Sequence, residues 1–368
     1  MKIAFVLLTH NPNEPAGIER SIDTLAIGLR QAGHSALIIA AGPATAADGE
    51  DLLRLATLTL PRPAVEDDLM ALLADPAPVE AEVRQLLTDH DVDLVCWVDA
   101  VWGLGYLAPA PPGVRTALMV RVMRTDEPML ASLAHRPDAV LTNSDFLNDE
   151  GARQGLDSRS WRALPNAVHH TATTPGPAER ERLRRQGPVR IVSRAEPHKG
   201  TAELLRALPP DLGRPLQIVL AAAGFEYWPG MQEQVITECR RLAEDLPGVE
   251  ILPALEWQDV PPFLAGAAAV LVGSTSPETF GNVAAEALSV ATPVVGYGLG
   301  HLPALTGPAG RMVDLDAGPD KLWAALIALL EDREAYHAAS QAAPLQVAAH
   351  SPRVVAETFL ALTTNTRP

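Results

Sequence analysis

The sequence predicts an α/β protein built from two doubly wound domains. Short β-branched runs alternate with longer helical patterns along the whole chain, and the alternation occurs twice, on either side of a charged segment that carries Pro and Gly. The length of 368 residues exceeds one ordinary core and suits two domains of about 150–200 residues each. Strand–helix alternation implies parallel sheets covered on both faces, so each strand reads as a continuous apolar run. With 47% hydrophobic and 20% charged residues, the composition is that of a packed globular protein.

The first strand is KIAFVLL (2–8). Its apolar core runs only from Ile3 to Leu8, and His10, Asn11 and Pro12 follow without a small-residue cleavage site, so a buried strand fits better than a signal peptide. In 17–34 a helix is expected, with Ile18, Ile22, Leu25 and Leu29 at helical spacing and Gly33 as its stop. Strands SALIIA (35–40), DLVCWV (93–98), VRTALMV (114–120) and DAVLTN (138–143) complete the first half. The second half repeats the scheme with VRIVSR (189–194), LQIVLAA (216–222), VEILPA (249–254), AAVLVG (268–273) and TPVVGY (292–297). The domains are therefore placed at 1–170 and 189–350. A linker is expected at 171–188 and a terminal helix at 351–368 that can pack back on the first domain.

The net charge is −16, with −10 in residues 1–170 and −6 in residues 171–368. Neither half has the basic excess that nucleic acid demands, and anionic lipid would repel both, so no nucleic-acid partner and no stable membrane association are expected. No apolar run reaches the roughly 20 residues that span a bilayer. Cys96 and Cys239 stand alone, without a CxxC or Cys/His cluster; a reducing cytoplasm is expected and a structural zinc is not.

Ligands of doubly wound sheets bind at the carboxyl ends of strands, and two such domains facing each other would form a cleft there. After VRIVSR comes SRAEPHKGT, where Arg194, Lys199 and a helix start fall within eight residues. Cations beside exposed helix N–H groups make an anion cradle, although two solvated loop charges would look the same in sequence. After AAVLVG comes STSPETFGNVAAEAL, in which Gly281 permits a tight turn and the N–H groups of Asn282 and Val283 begin a helix. Glu278 precedes that helix on the loop. Glu286 lies one turn after Asn282, where a carboxylate can accept both hydroxyls of a ribose diol. A salt bridge or a helix-dipole acid explains either glutamate alone, but not both with a glycine between. Asp91-Val92-Asp93 and Asp314-Leu315-Asp316 match the D-x-D of metal-dependent transferases but border strands, where acids solvate turns. Trp97, Trp102 and Tyr106 follow a first-half strand, and Tyr227 with Trp228 a second-half strand; aromatic rings there stack on sugars or pack in cores. His10 and His169 also lie at strand ends.

The run Glu278-Thr279-Phe280-Gly281 with Glu286, preceded by Ser193 to Gly200, resembles the family-four retaining glycosyltransferases of GT-B fold. So do Leu164-Pro165-Asn166-Ala167-Val168, Ala16-Gly17-Ile18-Glu19 and Gly33-His34. The resemblance implies two Rossmann-like domains and a nucleoside diphosphate sugar as donor; transfer to a small polar acceptor is expected, with no cofactor and with no metal needed where the cations take its place. It assigns Arg194 and Lys199 to the diphosphate, Glu278 to the donor sugar and Glu286 to the ribose. Gly17, Gly281, Asn282 and Val283 complete the donor set. The chain has Ala16-Gly17 where the family has Gly-Gly, and Pro303-Ala304 where it has Pro-Glu. Where the family carries a histidine after the strand occupied here by ALMV, it offers Arg121, Arg124 and Asp126. The acceptor set is accordingly His10, Trp97, Trp102, Arg121, Arg124 and Asp126. An epimerase of the same fold and a non-catalytic sugar-nucleotide-binding partner are the rival readings.

Overall fold

The computed structural model describes residues 1–11, 16–42, 44–45, 48–99, 110–168 and 173–364. The chain divides into two compact units, Met1–Ala167 with His350–Pro368, and Val168–Ala349.

The first unit holds a seven-stranded sheet of β1 (Lys2–Thr9), β2 (Ser35–Ala41), β3 (Leu52–Arg54), β4 (Leu94–Val98), β5 (Arg115–Val120), β6 (Ala139–Thr142) and β7 (Arg162–Ala163). Their order is β3-β2-β1-β4-β5-β6-β7, and every pairing is parallel. In β1, Ile3 to Leu8 are all buried because β2 and β4 flank it; Phe5 lies opposite Ile38 on one side and Cys96 on the other. The expected first helix runs Gly17–Gln31 and buries Ile22, Leu25, Ala26 and Leu29. Gly33 follows it with φ +84. Gly28 of this helix is a contact point: a Cβ there would sit 2.0 Å from the carbonyl oxygen of Pro352. That approach lets the terminal helix Pro352–Thr364 lie against it, with the rings of Phe359 and Phe5 at 5.7 Å. The last helix thus belongs to the first unit.

The second unit holds β8 (Val189–Arg194), β9 (Leu216–Ala221), β10 (Val249–Leu252), β11 (Ala269–Val272), β12 (Val294–Tyr297) and β13 (Gly310–Val313), in the order β10-β9-β8-β11-β12-β13. All pairings are again parallel. One core, around Ile191, Ile218, Leu271 and Trp323, and a second, around Val270, Val294, Phe280 and Leu288, bury opposite alternate residues of the same strands. Trp323 donates its indole N–H to the Leu204 carbonyl and Tyr336 its hydroxyl to that of Ala268, so both large polar aromatics enter the core with partners.

The segment 171–188 is not a simple linker. Pro177–Gln186 is a helix that starts on its proline, a residue suited to the first turn because its missing N–H would have no partner there. Its Arg180 is 2% exposed and donates to the carbonyls of Ala265, Ala267 and Val290 and to the Thr292 hydroxyl. This helix is part of the second unit. Its visible charges are those of an outer face, where Glu179 pairs with Arg182 and Glu181 with Arg184.

Candidate functional site

The strand order of the second unit reverses direction between β8 and β11, and ligands of open α/β sheets bind at such a switch point. The predicted donor residues follow the carboxyl ends of these two strands. From β8 the chain leaves at Arg194, makes a single tight turn over Pro197–Lys199 and enters the helix Thr201–Arg206 through Gly200, whose φ is +69. A Cβ on Gly200 would lie 2.1 Å from the carbonyl oxygen of Gly273, just past β11. Only glycine allows the two loops to press together this closely. The backbone N–H of Thr275 then donates to the His198 carbonyl at 2.8 Å.

That apposition unites residues 79 positions apart. Lys199 Nζ reaches Glu278 Oε1 at 2.7 Å, and the Ser274 hydroxyl donates to the same oxygen. Burial alone pushes the Glu278 carboxyl up; the charge and hydrogen bond of Lys199, the Ser274 hydroxyl and Arg194 together outweigh it and hold the group below the ordinary carboxylate range. Glu278 is fixed from behind by Gly300, at φ +64, where a Cβ would fall 2.2 Å from the Glu278 carbonyl oxygen. The N–H of His301 donates to that same carbonyl at 2.8 Å. The Phe280 ring stacks on His301 with centroids 5.8 Å apart. Gly281, at φ +98, opens the helix Asn282–Ser289, and no side chain caps its start. Asn282 and Val283 occupy its first turn, and Glu286 follows one turn later at 9% exposure. A cation pair, an oriented carboxylate and the positive end of a helix are thereby assembled around one switch point.

Two neighbours escaped the sequence reading. Glu196, 3% exposed, places Oε1 3.0 Å from Arg194 Nη1 and Oε2 3.1 Å from His198 Nε2. Burial holds the His198 imidazole below its usual range, with Glu196 opposing and Lys199 and Arg194 adding to the depression. The sequence did show an acid and a histidine between Arg194 and Lys199, and the tight turn over Pro197–Lys199 brings His198 beside Glu196. Tyr227 turns its ring edge to His198 at 5.9 Å and is half exposed, as is Trp228. Their loop is held by Glu226, which accepts from Gly230 N–H, and by Gln232, which binds the carbonyls of Ala223 and Phe225.

In the first unit the predicted acceptor residues do not assemble in this way. Trp97 is 2% exposed within β4, so its ring packs in the interior and does not stand open to a ligand. Asp126 caps the helix Glu127–Ala134 by accepting from Met129 N–H, and it pairs with Arg124, which also holds Glu66 at 2.9 Å. These two side chains are committed to local structure. Arg121 is buried at the end of β5, donates to Asn166 and to Met119 Sδ, and burial lowers its guanidinium to about 10. His10 is buried with Nε2 2.9 Å from Asp23 Oδ1. Gly17 is the first residue of its helix, after an extended Ala16. Trp102, Tyr106 and His169 lie outside the described residues. Asp91 and Asp93 are taken up by Lys2: Asp93 accepts its backbone N–H at 2.7 Å, and Asp91 lies 3.7 Å from Nζ.

No curated protein matches the sequence significantly. Among solved structures, the sucrose-phosphate synthase of Thermosynechococcus elongatus superposes with a TM-score of 0.76 at 16% identity, over 98% of this chain and 97% of that one. HepE of Anabaena, in complex with UDP and glucose, gives 0.70 at 19% identity over 98% of each chain. AviGT4, a glycosyltransferase involved in avilamycin A biosynthesis, gives 0.62 at 21% identity over 100% of this chain and 98% of that one. These likenesses establish the GT-B fold. Residues 15–172 match the model of Glycosyltransferase Family 4, and residues 189–332, which carry the paired Lys199 and Glu278, match that of Glycosyl transferases group 1. The chain therefore belongs to the family-four glycosyltransferases.

Proposed function

We propose that this glycosyltransferase moves a sugar from a nucleoside diphosphate sugar to a small, soluble, polar acceptor with retention of anomeric configuration and without a metal ion. The observation that carries the reading is the 2.7 Å contact of Lys199 with Glu278, beside Arg194 and the start of the helix Asn282–Ser289. Breaking a glycosidic bond to a diphosphate leaves negative charge on the departing group. Arg194, Lys199 and the first N–H groups of that helix stabilise this charge where it develops, which is where electrostatic catalysis is strongest. Glu278, kept ionised by its neighbours, orients the sugar hydroxyls and favours the positive, oxocarbenium-like sugar. Glu286 holds the ribose diol, a part of the donor that does not react.

The acceptor is placed in solution because both halves of the chain are net negative. Among the described residues no helix is long and apolar enough to cross a membrane. HepE, described with UDP and glucose, makes UDP-glucose the first donor to test.

The test is turnover of purified protein with donor and an acceptor panel, the product anomer read by NMR. A product of inverted configuration sinks the retaining reading. Conversion of the donor alone into an epimer supports the epimerase rival, and binding without any turnover supports the silent partner. Persistence of full activity in chelator checks metal independence, and co-sedimentation with anionic liposomes would overturn the soluble acceptor.

A further inference from the structure

The donor cradle has an unusual charge balance. Arg194 and Lys199 bring two formal positive charges, and Glu196 and Glu278 bring two negative ones, each within 3.0 Å of a cation. The cluster is neutral whenever His198 is neutral. Three of these four are shielded: the side chains of Lys199, Glu278 and Glu196 are 17%, 18% and 3% exposed, against 38% for Arg194, so solvent screens their charges incompletely. A diphosphate diester brings about two negative charges. A neutral cluster binds such a ligand less well than a cationic one, because each carboxylate offsets the cation beside it.

His198 is the one member of this cluster able to change its charge near neutrality. The groups facing it are the carboxylates of Glu196 and Glu278, the cations of Arg194 and Lys199, and the ring edge of Tyr227. Its Nε2 lies 3.1 Å from Glu196 Oε2, so protonation of the ring sets a positive charge beside that carboxylate. Its backbone carbonyl is bonded by Thr275, which holds the residue in place between the β8 and β11 loops.

We propose that His198 takes up a proton from solvent when a nucleoside diphosphate sugar enters the cradle, giving the cluster the net positive charge that the diphosphate requires. The inference rests on the reading that Arg194 and Lys199 hold the diphosphate. In the empty cradle burial keeps His198 below its usual range, hence neutral at physiological pH. The arriving diphosphate favours the charged imidazolium and raises that value. Donor affinity is then highest below the empty-site value and falls as pH rises, by about tenfold per pH unit between the empty and occupied values, and levels off above the occupied one.

The experiment is calorimetric titration of UDP-glucose, with ADP-glucose and GDP-glucose alongside, in pairs of buffers that differ in ionisation enthalpy. The diphosphate of these donors is a diester and does not itself titrate in this range. The expected result is net proton uptake by the wild-type protein at neutral pH, and its loss in His198→Gln together with a nearly flat affinity profile. Binding without proton uptake in the wild type overturns the inference while leaving the donor reading intact. Uptake that persists undiminished in His198→Gln overturns it equally, by placing the proton elsewhere. If none of the three donors binds, the donor reading fails and this inference fails with it.

Discussion

Replacing Glu278 by Gln keeps the size and shape of the side chain and removes its charge. Two consequences of opposite sign follow from the structure. The carboxylate sits 2.7 Å from Lys199 Nζ and also accepts from Ser274, and a hydrogen bond to a charged group contributes about 1.5–3 kcal/mol. In the proposed function a sugar hydroxyl also donates to this carboxylate, and loss of a bond of that size that strengthens as the glycosidic bond breaks appears in kcat as a fall of about 10–150-fold. Meanwhile Lys199 is released from its partner and meets the diphosphate with its full charge. At the 17% exposure of Lys199 that release is worth about 1 kcal/mol, so the nucleoside diphosphate should bind about fivefold more tightly. The assay is donor-saturation kinetics combined with direct titration of the nucleoside diphosphate, with circular dichroism to confirm folding. A variant with near wild-type kcat and weaker nucleotide binding would refute the assignment, since Glu278 would then be a ground-state contact only.

Glu286→Ala should behave in the complementary way, raising donor KM about tenfold or more with little change in kcat, because the ribose contact proposed for it would be the same in ground and transition states; donor-saturation kinetics decide it. Glu278 is held below the ordinary carboxylate range, so its stabilising pair with Lys199 is fully present above the unfolded value and is lost only as pH falls through the depressed folded one. A kcat profile that does not drop on acidification until below the usual carboxylate range is the expected outcome. Gly200→Ala should cost at least about 1–3 kcal/mol, since the added Cβ meets the Gly273 carbonyl at 2.1 Å in addition to the strain of φ +69. Gly33→Ala, at φ +84 with nothing within 4 Å, should cost only the strain, and urea titration of both variants checks the difference. Arg180→Met should destabilise the second unit by about 3–5 kcal/mol by leaving buried carbonyls without their donor, visible as a lower urea midpoint.

Much of the fold was legible because a parallel strand with neighbours on both faces has no room for polar alternation. KIAFVLL and AAVLVG can hardly be read otherwise. The strands that escaped, β3, β7 and β13, lie at sheet edges; β3 and β7 have only three and two residues, too short for any period to show, and β13 is GRMV, whose glycine and exposed Arg311 interrupt the apolar run. The helix Pro177–Gln186 was hidden for another reason. Its outer ion pairs dominate the local composition, while its one deeply buried polar residue is an arginine, whose commitment to three carbonyls is a tertiary fact. Arg124 and Asp126 show the same limit: that the pair is held in place by Glu66, and that Asp126 caps a helix, are tertiary and local facts that a polar pair after a strand does not display.

The residues proposed for the donor were easier to single out than those proposed for the acceptor because they are formal charges at strand ends, and the switch point of the sheet brings those ends together. What the residues alone did not show is how close the loops come. Gly33 and Gly200 are the same letter, and both adopt positive φ. Around Gly33 there is open space, and the residue ends a helix. Against Gly200 stands a carbonyl from a loop more than seventy residues away, and Gly300 meets the Glu278 backbone in the same manner. A side chain at either glycine would displace the loop that carries Lys199 or Glu278. Their 2.7 Å contact therefore depends as much on two absent Cβ atoms as on the two charges, and the Gly200→Ala variant should lose donor affinity even when refolded to full secondary structure.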